Sequence, residues 1–131
     1  MSEWSTVLVK IKDLEALAAA CEELGVRLLS GNGLTARGWS GHVRHAPHVI
    51  RLRGPYDIAV EPSSEQGGTY EMSTDWWDGH VASEVGENYG RLLQTYGVIK
   101  TERMARVHGL RVNKKQMADG SIQLTLQGNN L

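Results

Sequence analysis

WSTVLVKIKDLEALAAACEELG, running from Trp4 to Gly25, carries two periodicities back to back. Up to Lys12 the residues alternate, with Val7, Val9 and Ile11 on one face and Thr6, Lys10 and Lys12 mostly on the other. Successive side chains of a strand point to opposite sides, so this alternation predicts a half-buried strand. After Asp13 the spacing changes. Leu14, Leu17, Ala18, Cys21 and Leu24 recur three and four apart, which puts them on one stripe of a helix. Asp13 stands where an N-cap belongs, and Gly25 where a helix commonly ends.

Working outward, Val26 to Leu29 reads as a second strand and Gly31-Asn32-Gly33 as a turn. His48 to Arg53 and Tyr56 to Val60 alternate as two more strands, separated by Gly54-Pro55. Pro62 to Gly68 reads as an exposed hairpin loop. In the next strand Tyr70, Met72, Thr74 and Trp76 share one face, and Glu71, Ser73, Asp75 and Trp77 the other. A long helical region follows, with Val85, Tyr89, Leu92, Tyr96, Ile99 and Val107 along its apolar side and a break expected near Gly97. Leu110 and Val112 begin a last hairpin that turns at Asp119-Gly120 and returns through Ile122, Leu124 and Leu126; beyond it the chain end is expected to fray. Leu34 to Pro47 shows no clear period and reads as a loop or an edge strand.

These elements fit one α+β domain spanning residues 1–131. The expected form is a two-layer sandwich, with a mainly antiparallel sheet and two helices on one face. A ferredoxin-like topology is one way to connect it. At 131 residues, with 40% hydrophobic and 22% charged residues, the chain is long enough for a core without metal or disulfide staples. The one cysteine, Cys21, excludes an internal disulfide and fits a reducing compartment. The opening residues lack the apolar core of a signal peptide, and no stretch has the length of a membrane span, so a cytoplasmic protein without membrane contacts is expected.

The formal charge of −1 hides a sorting by sign. Leu24 to Tyr56 contains five arginines and no carboxylate; Gly54 to Gly90 contains eight carboxylates and no Lys or Arg; Arg91 to Lys115 carries seven cations against Glu102. Within the basic block, Arg37, Trp39, Arg44, Arg51 and Arg53 combine guanidinium forks with an aromatic, the combination that grips phosphates and stacks bases. The opposing account is that these arginines pair with Glu61, Glu71 or Asp75 on neighbouring strands. What would then stay unpaired is the Arg37 to His48 stretch, the Glu61 to Glu65 loop and the cations of the late helix. Trp77 is the other candidate binding residue, an indole among Glu71, Ser73 and Asp75.

Catalytic and metal chemistry is harder to assemble. His42, His45 and His48 are spaced three apart, which on a strand sends His45 away from the other two, so no metal site is assigned. Asp75 and Asp78 flank Trp76-Trp77; a core role for Trp76 and a cap role for Asp78 explain them better than acid–base work does. No G-x-S-x-G occurs, and Gly31-Asn32-Gly33 lacks the Lys and Ser/Thr of a phosphate loop. No catalytic residue and no cofactor is assigned, which points away from an enzyme.

Several short segments, taken in order, carry a resemblance. They are Met1-Ser2-Glu3-Trp4-Ser5-Thr6-Val7 with Ile11-Lys12-Asp13-Leu14, Tyr56-Asp57-Ile58, Tyr70-Glu71-Met72, Asp75-Trp76-Trp77, Gln94-Thr95-Tyr96-Gly97 and Asp119-Gly120-Ser121-Ile122. Together they resemble the hypothetical chloroplast reading frame thirty-five family, a domain-of-unknown-function group of plastids, cyanobacteria, other bacteria and phages. Tyr96-Gly97, where the family usually has Tyr-Ala, and the Arg/His-rich stretch from Arg37 to His48 depart from its pattern. The resemblance implies a small soluble protein without assigned chemistry, whose gene travels with an AAA-type ATPase. It supplies no catalytic residue. The expectation is therefore a non-catalytic accessory or adaptor protein that works through protein contacts. The alternative is nucleic-acid or nucleotide binding through residues 37–53. The oligomeric state is left open.

Overall fold

A computed structural model describes residues 4–128, without the side chains of residues 7–10. The facing expected of Val7, Val9 and Lys10 lies outside the described residues, and of the tail expected to fray, Gly128 to Leu131, only Gly128 is described, as the last residue of a strand. In chain order the elements are β1 (Trp4–Ile11), α1 (Leu14–Glu23), β2 (Arg27–Ser30), β3 (Thr35–Arg37), β4 (Val43–His45), β5 (His48–Arg51), β6 (Ile58–Pro62), β7 (Tyr70–Asp75), α2 (Ala82–Val85), α3 (Gly90–Val107), β8 (Leu110–Gln116) and β9 (Ile122–Gly128). The fold is α+β. Five strands form an antiparallel sheet in the order β1-β7-β6-β5-β2, while β3-β4 and β8-β9 form separate two-stranded ribbons.

Asp13 caps α1 as its position suggests, its Oδ1 accepting from the Ala16 N–H at 3.0 Å. The stripe Leu17, Ala20, Cys21 packs with Leu92, Tyr96 and Ile99 of α3 and with Ile50, Ile58, Val60 and Met72 of the sheet. Burying each large apolar side chain stabilises the fold by roughly 1.5–3 kcal/mol before its ordering entropy is counted. Both helices thus cover one face of the sheet. A ferredoxin-like sheet interleaves two βαβ halves. Here β1 and β2 are opposite edges joined by α1, so the connection is of another kind.

Leu34 to Pro47, expected as a loop or an edge strand, forms the β3-β4 ribbon, which lies over the opposite face of the sheet. There Ala36 and Ala46 pack on Val49 and Ala59, with Trp4 and Leu34 beside them. The two alanines at this contact let the ribbon approach the sheet closely.

The helical region breaks earlier than expected. α3 runs unbroken through Gly97, which is exposed, so that this glycine costs only helix propensity. The interruption falls at Gly86, Asn88 and Tyr89, all with positive φ (85°, 53° and 64°), where the chain turns from α2 into α3. Beyond Ile99 the helix outruns the sheet, and Val107, expected on the apolar side, is 83% exposed. The β8-β9 ribbon lies against this end of α3 instead of joining the sheet, so the expected inward face is only half-covered and Leu126 is exposed.

Candidate functional site

Asp75 ends β7 on the face away from the helices and is almost completely buried. Its two carboxylate oxygens receive two backbone N–H groups from different parts of the chain. Oδ1 accepts from Trp77 at 2.9 Å, and Oδ2 from Trp39 at 3.3 Å. Each of these tryptophans opens the same four-residue pattern: Trp39-Ser40-Gly41-His42 and Trp77-Asp78-Gly79-His80.

The backbone repeats as well as the letters. Ser40 and Asp78 are left-handed, with φ of 54° and 57°, and the following glycines have φ of 78° and 71°. Glycine takes that region without the clash a Cβ would make, and Asp is among the side chains that tolerate it. In both turns the His N–H returns to the Trp carbonyl, at 3.0 Å for His42 and 3.4 Å for His80. The result is two Trp-x-Gly-His turns set against one buried carboxylate. Trp39 is 41% exposed and Trp77 44%, so a large part of each indole is open. Gly38 lets the first turn close on the sheet: a Cβ there would lie 2.9 Å from the Trp4 indole.

Other rings frame the pair. The Trp39 and His42 rings stack at 6.2 Å, and Tyr56 meets His80 edge-on at 5.3 Å. The exposed Asp78 carboxylate lies 3.8 Å from His80 Nε2. Asp78 caps no helix; its left-handed backbone places it within the turn. Burial, then the charges of Asp75 and Asp78, raise the Tyr56 hydroxyl above the usual tyrosine range. Trp76, between the turns and α3, is the core anchor expected of it and packs 4.8 Å from the Tyr89 ring.

The candidate arginines are engaged internally. Arg37 donates from Nε and Nη2 to the two oxygens of Asp57, at 2.8 Å each, and from Nη2 to the carbonyls of Leu52 and Gly54. Arg51 Nη1 reaches the same carboxylate at 2.6 Å. Burial alone would raise the Asp57 carboxyl. The Arg37 side chain and the N–H groups of Arg37 and Leu52 outweigh it and hold the group below its ordinary range. Arg44 pairs with Glu61 at 2.8 Å. Arg53 donates its backbone N–H to Glu84 at 2.7 Å, its Nε lying 3.5 Å from the same oxygen. Two of the late cations are paired too, Lys100 with Asp13 and Lys114 with Glu102.

The three histidines part company. His42 stacks on Trp39, His45 lines a shallow depression with Gly31 to Leu34, and His48 Nδ1 meets Ser30 Oγ at 2.7 Å. Cys21 is buried in the core, and burial pushes its thiol up to about 12.

The structure therefore joins Trp39 and Trp77, candidates from separate segments, and turns the arginines inward. Ser40, Gly41, Asp75, Gly79 and His80 were not singled out as binding residues. The signal that could have found them is the repeated Trp-x-Gly-His. The family described as Protein of unknown function (DUF1257) matches residues 20–125. The chain belongs to that family. The DUF1257 match takes in both turns, the ribbon and the whole of α3. No curated protein and no solved structure matches the chain. Among the described residues, no helix of this DUF1257 chain is long and apolar enough to cross a membrane.

Proposed function

We propose that this chain is a non-catalytic accessory or adaptor protein, and that the paired Trp-x-Gly-His turns are its contact surface. The observation that carries this reading is that two tryptophans with half-open indoles are held by their backbone N–H groups on one buried carboxylate. Tryptophan supplies a large contact area, loses little side-chain freedom when it is ordered, and is enriched where interfaces draw their affinity. Backbone anchoring orders the platform before a partner arrives, which lowers the cost of association.

Nucleic-acid or nucleotide binding through residues 37–53 is the second reading, and the ion pairs weaken it. Phosphate binding draws on free cations. Arg37, Arg44 and Arg51 already hold carboxylates, and those bonds would have to break; only the Arg53 side chain, 68% exposed with its Nε 3.5 Å from Glu84, stays open. Under the adaptor reading the protein works in a reducing, cytoplasmic compartment, as the lone core cysteine suggests. The narrower kinship with chloroplast reading frame thirty-five belongs to the same proposal, and makes an AAA-type ATPase the first partner to try.

The test is a photo-reactive side chain at the exposed His42, used in the native host. A discrete protein adduct is expected, lost on Trp77→Ala and absent when the probe sits at the exposed Gln123 on the β8-β9 ribbon. An adduct pattern at position 42 no different from that at position 123 overturns the reading.

A further inference from the structure

We propose that the paired turns receive a cationic side chain, an arginine carried on a basic segment of the partner protein. The inference rests on the adaptor reading and names what that surface recognises.

The argument begins with what surrounds the indoles. The face of an indole is electron-rich and attracts cations, and a guanidinium, flat and weakly hydrated, stacks on it better than an ammonium does. Trp39 and Trp77 offer two such rings, on residues whose backbone N–H groups share one carboxylate. The acidic groups at the site divide into two kinds. Asp75 is buried and occupied by backbone N–H groups, so it fixes geometry. Asp78, next to Trp77, has a side chain 72% exposed, and among the described residues no Lys or Arg nitrogen lies within 4.0 Å of it. Among the described residues, the basic side chain within that range is the His80 imidazole, itself edge-on to Tyr56. The raised Tyr56 hydroxyl, which burial and the charges of Asp75 and Asp78 produce, is consistent with a negative local field.

The chain's own cations do not fill this place. Arg37 stands two residues before Trp39, yet its guanidinium is turned to Asp57 and two carbonyls. Arg44, two residues after His42, is turned to Glu61, and Arg51 to Asp57. Two partly exposed indoles, with an exposed carboxylate next in sequence to one of them and the neighbouring arginines committed elsewhere, are complementary to a positive group from outside. An acidic or phosphorylated segment would meet Asp78 as a like charge, and a purely apolar one would strand that carboxylate on a rim it need not have.

Indole fluorescence reads the test directly. The probes are an acetylated, amidated Gly-Arg-Gly-Arg-Gly peptide, its glutamate counterpart and tetramethylammonium chloride. The arginine peptide should shift the tryptophan emission saturably and bind more weakly as salt rises. Trp77→Ala and Asp78→Asn should each weaken it by about two- to fivefold, the range of an exposed cation–π contact. Asp119→Asn, which removes an equal charge at the β8-β9 hairpin turn, should leave binding unchanged. Circular dichroism and melting of the variants establish that they are folded. No saturable arginine-peptide binding, equal binding of the glutamate peptide, or tighter binding of tetramethylammonium each overturns the proposal. The position-42 adduct separates the two readings: if it forms while the peptide fails, the contact surface stands and the arginine assignment falls. If the peptide binds and no adduct forms, the adaptor reading falls.

Discussion

Asp57 and Arg37 meet as a two-pronged pair, Nε and Nη2 each 2.8 Å from a different carboxylate oxygen, with Asp57 wholly buried. Asp57 Oδ2 also accepts the Arg37 backbone N–H at 2.9 Å, and Arg37 returns its carbonyl to the Asp57 N–H at 3.0 Å. The pair thereby fastens the β3-β4 ribbon to the segment leading into β6. Asp57→Asn would leave Arg37 and Arg51 facing an amide that can offer only one acceptor oxygen. Both guanidiniums are partly open to water, which softens the loss. A destabilisation of about 2–4 kcal/mol is expected. Urea unfolding should show it as a lower midpoint at an unchanged slope.

The same pair sets a pH dependence. The folded-state pKa of Asp57 lies below its ordinary value, as does that of Asp13, which accepts the Ala16 N–H. Between the folded and unfolded values the unfolded chain binds more protons, so stability rises with pH there. The contribution is therefore fully present above the unfolded Asp value, about 3.9, and is lost as pH falls through the folded values. Melting temperature measured from pH 6 down to pH 2 should drop in that window. The drop should be shallower in Asp57→Asn, which carries no titrating group there. An equally steep drop in the variant would remove Asp57 as its source.

Gly97 is exposed within α3, and a Cβ added there meets nothing within 4 Å. Gly97→Ala should stabilise the protein by about 0.5–1 kcal/mol, through helix propensity and a less flexible unfolded chain. A rise of a few degrees in melting temperature is the expected readout. A fall would mean that the helix does bend at this point.

How much was legible in the sequence follows from which signals are local. The alternation of Tyr70, Met72 and Thr74 and the stripe Leu17, Cys21, Leu24 report their faces from neighbouring residues alone, and both elements form. Propensity misplaced the helix break because Gly97 lies on the solvent side, where a glycine costs little, while the real interruption needed Gly86, Asn88 and Tyr89 together. The charge blocks pair with each other as expected, but Arg37, Arg44 and Glu61, which lie in segments expected to stay unpaired, are paired as well. Asp57 and Glu84 become partners through the ribbon crossing the sheet and α2 folding back, and strand alternation carries no trace of either. The twin turns are visible as repeated letters. That they share Asp75 is a consequence of the ribbon lying on the face where β7 ends.

Tyr89 carries an unmet requirement. Its side chain is fully buried, and among the described residues its hydroxyl has no hydrogen-bond partner. An orphaned buried hydroxyl costs about 1–3 kcal/mol, and removing it without changing shape recovers part of that. Tyr89→Phe should therefore be neutral or stabilising by up to about 1 kcal/mol. Thermal unfolding decides: a loss beyond 1 kcal/mol would show that the hydroxyl has a partner, such as a buried water.

Asp75 is the residue on which both turns depend, and Asp75→Asn separates its two roles. The amide keeps one acceptor oxygen and presents an NH2 donor where the other stood, so one of the two Trp N–H groups loses its partner and faces a second donor. The longer bond, Trp39 to Oδ2 at 3.3 Å, is the one expected to yield, because Trp77 is only two residues away and held at 2.9 Å. The cost should be about 1–3 kcal/mol. Amide hydrogen exchange should show it as faster exchange at Trp39 than at Trp77, with the core amides of α1 and β6 keeping their relative order. Equal loosening of both turns would mean that the carboxylate acts through its charge. Loosening confined to Trp39 would show that the two turns are held separately, each by one oxygen.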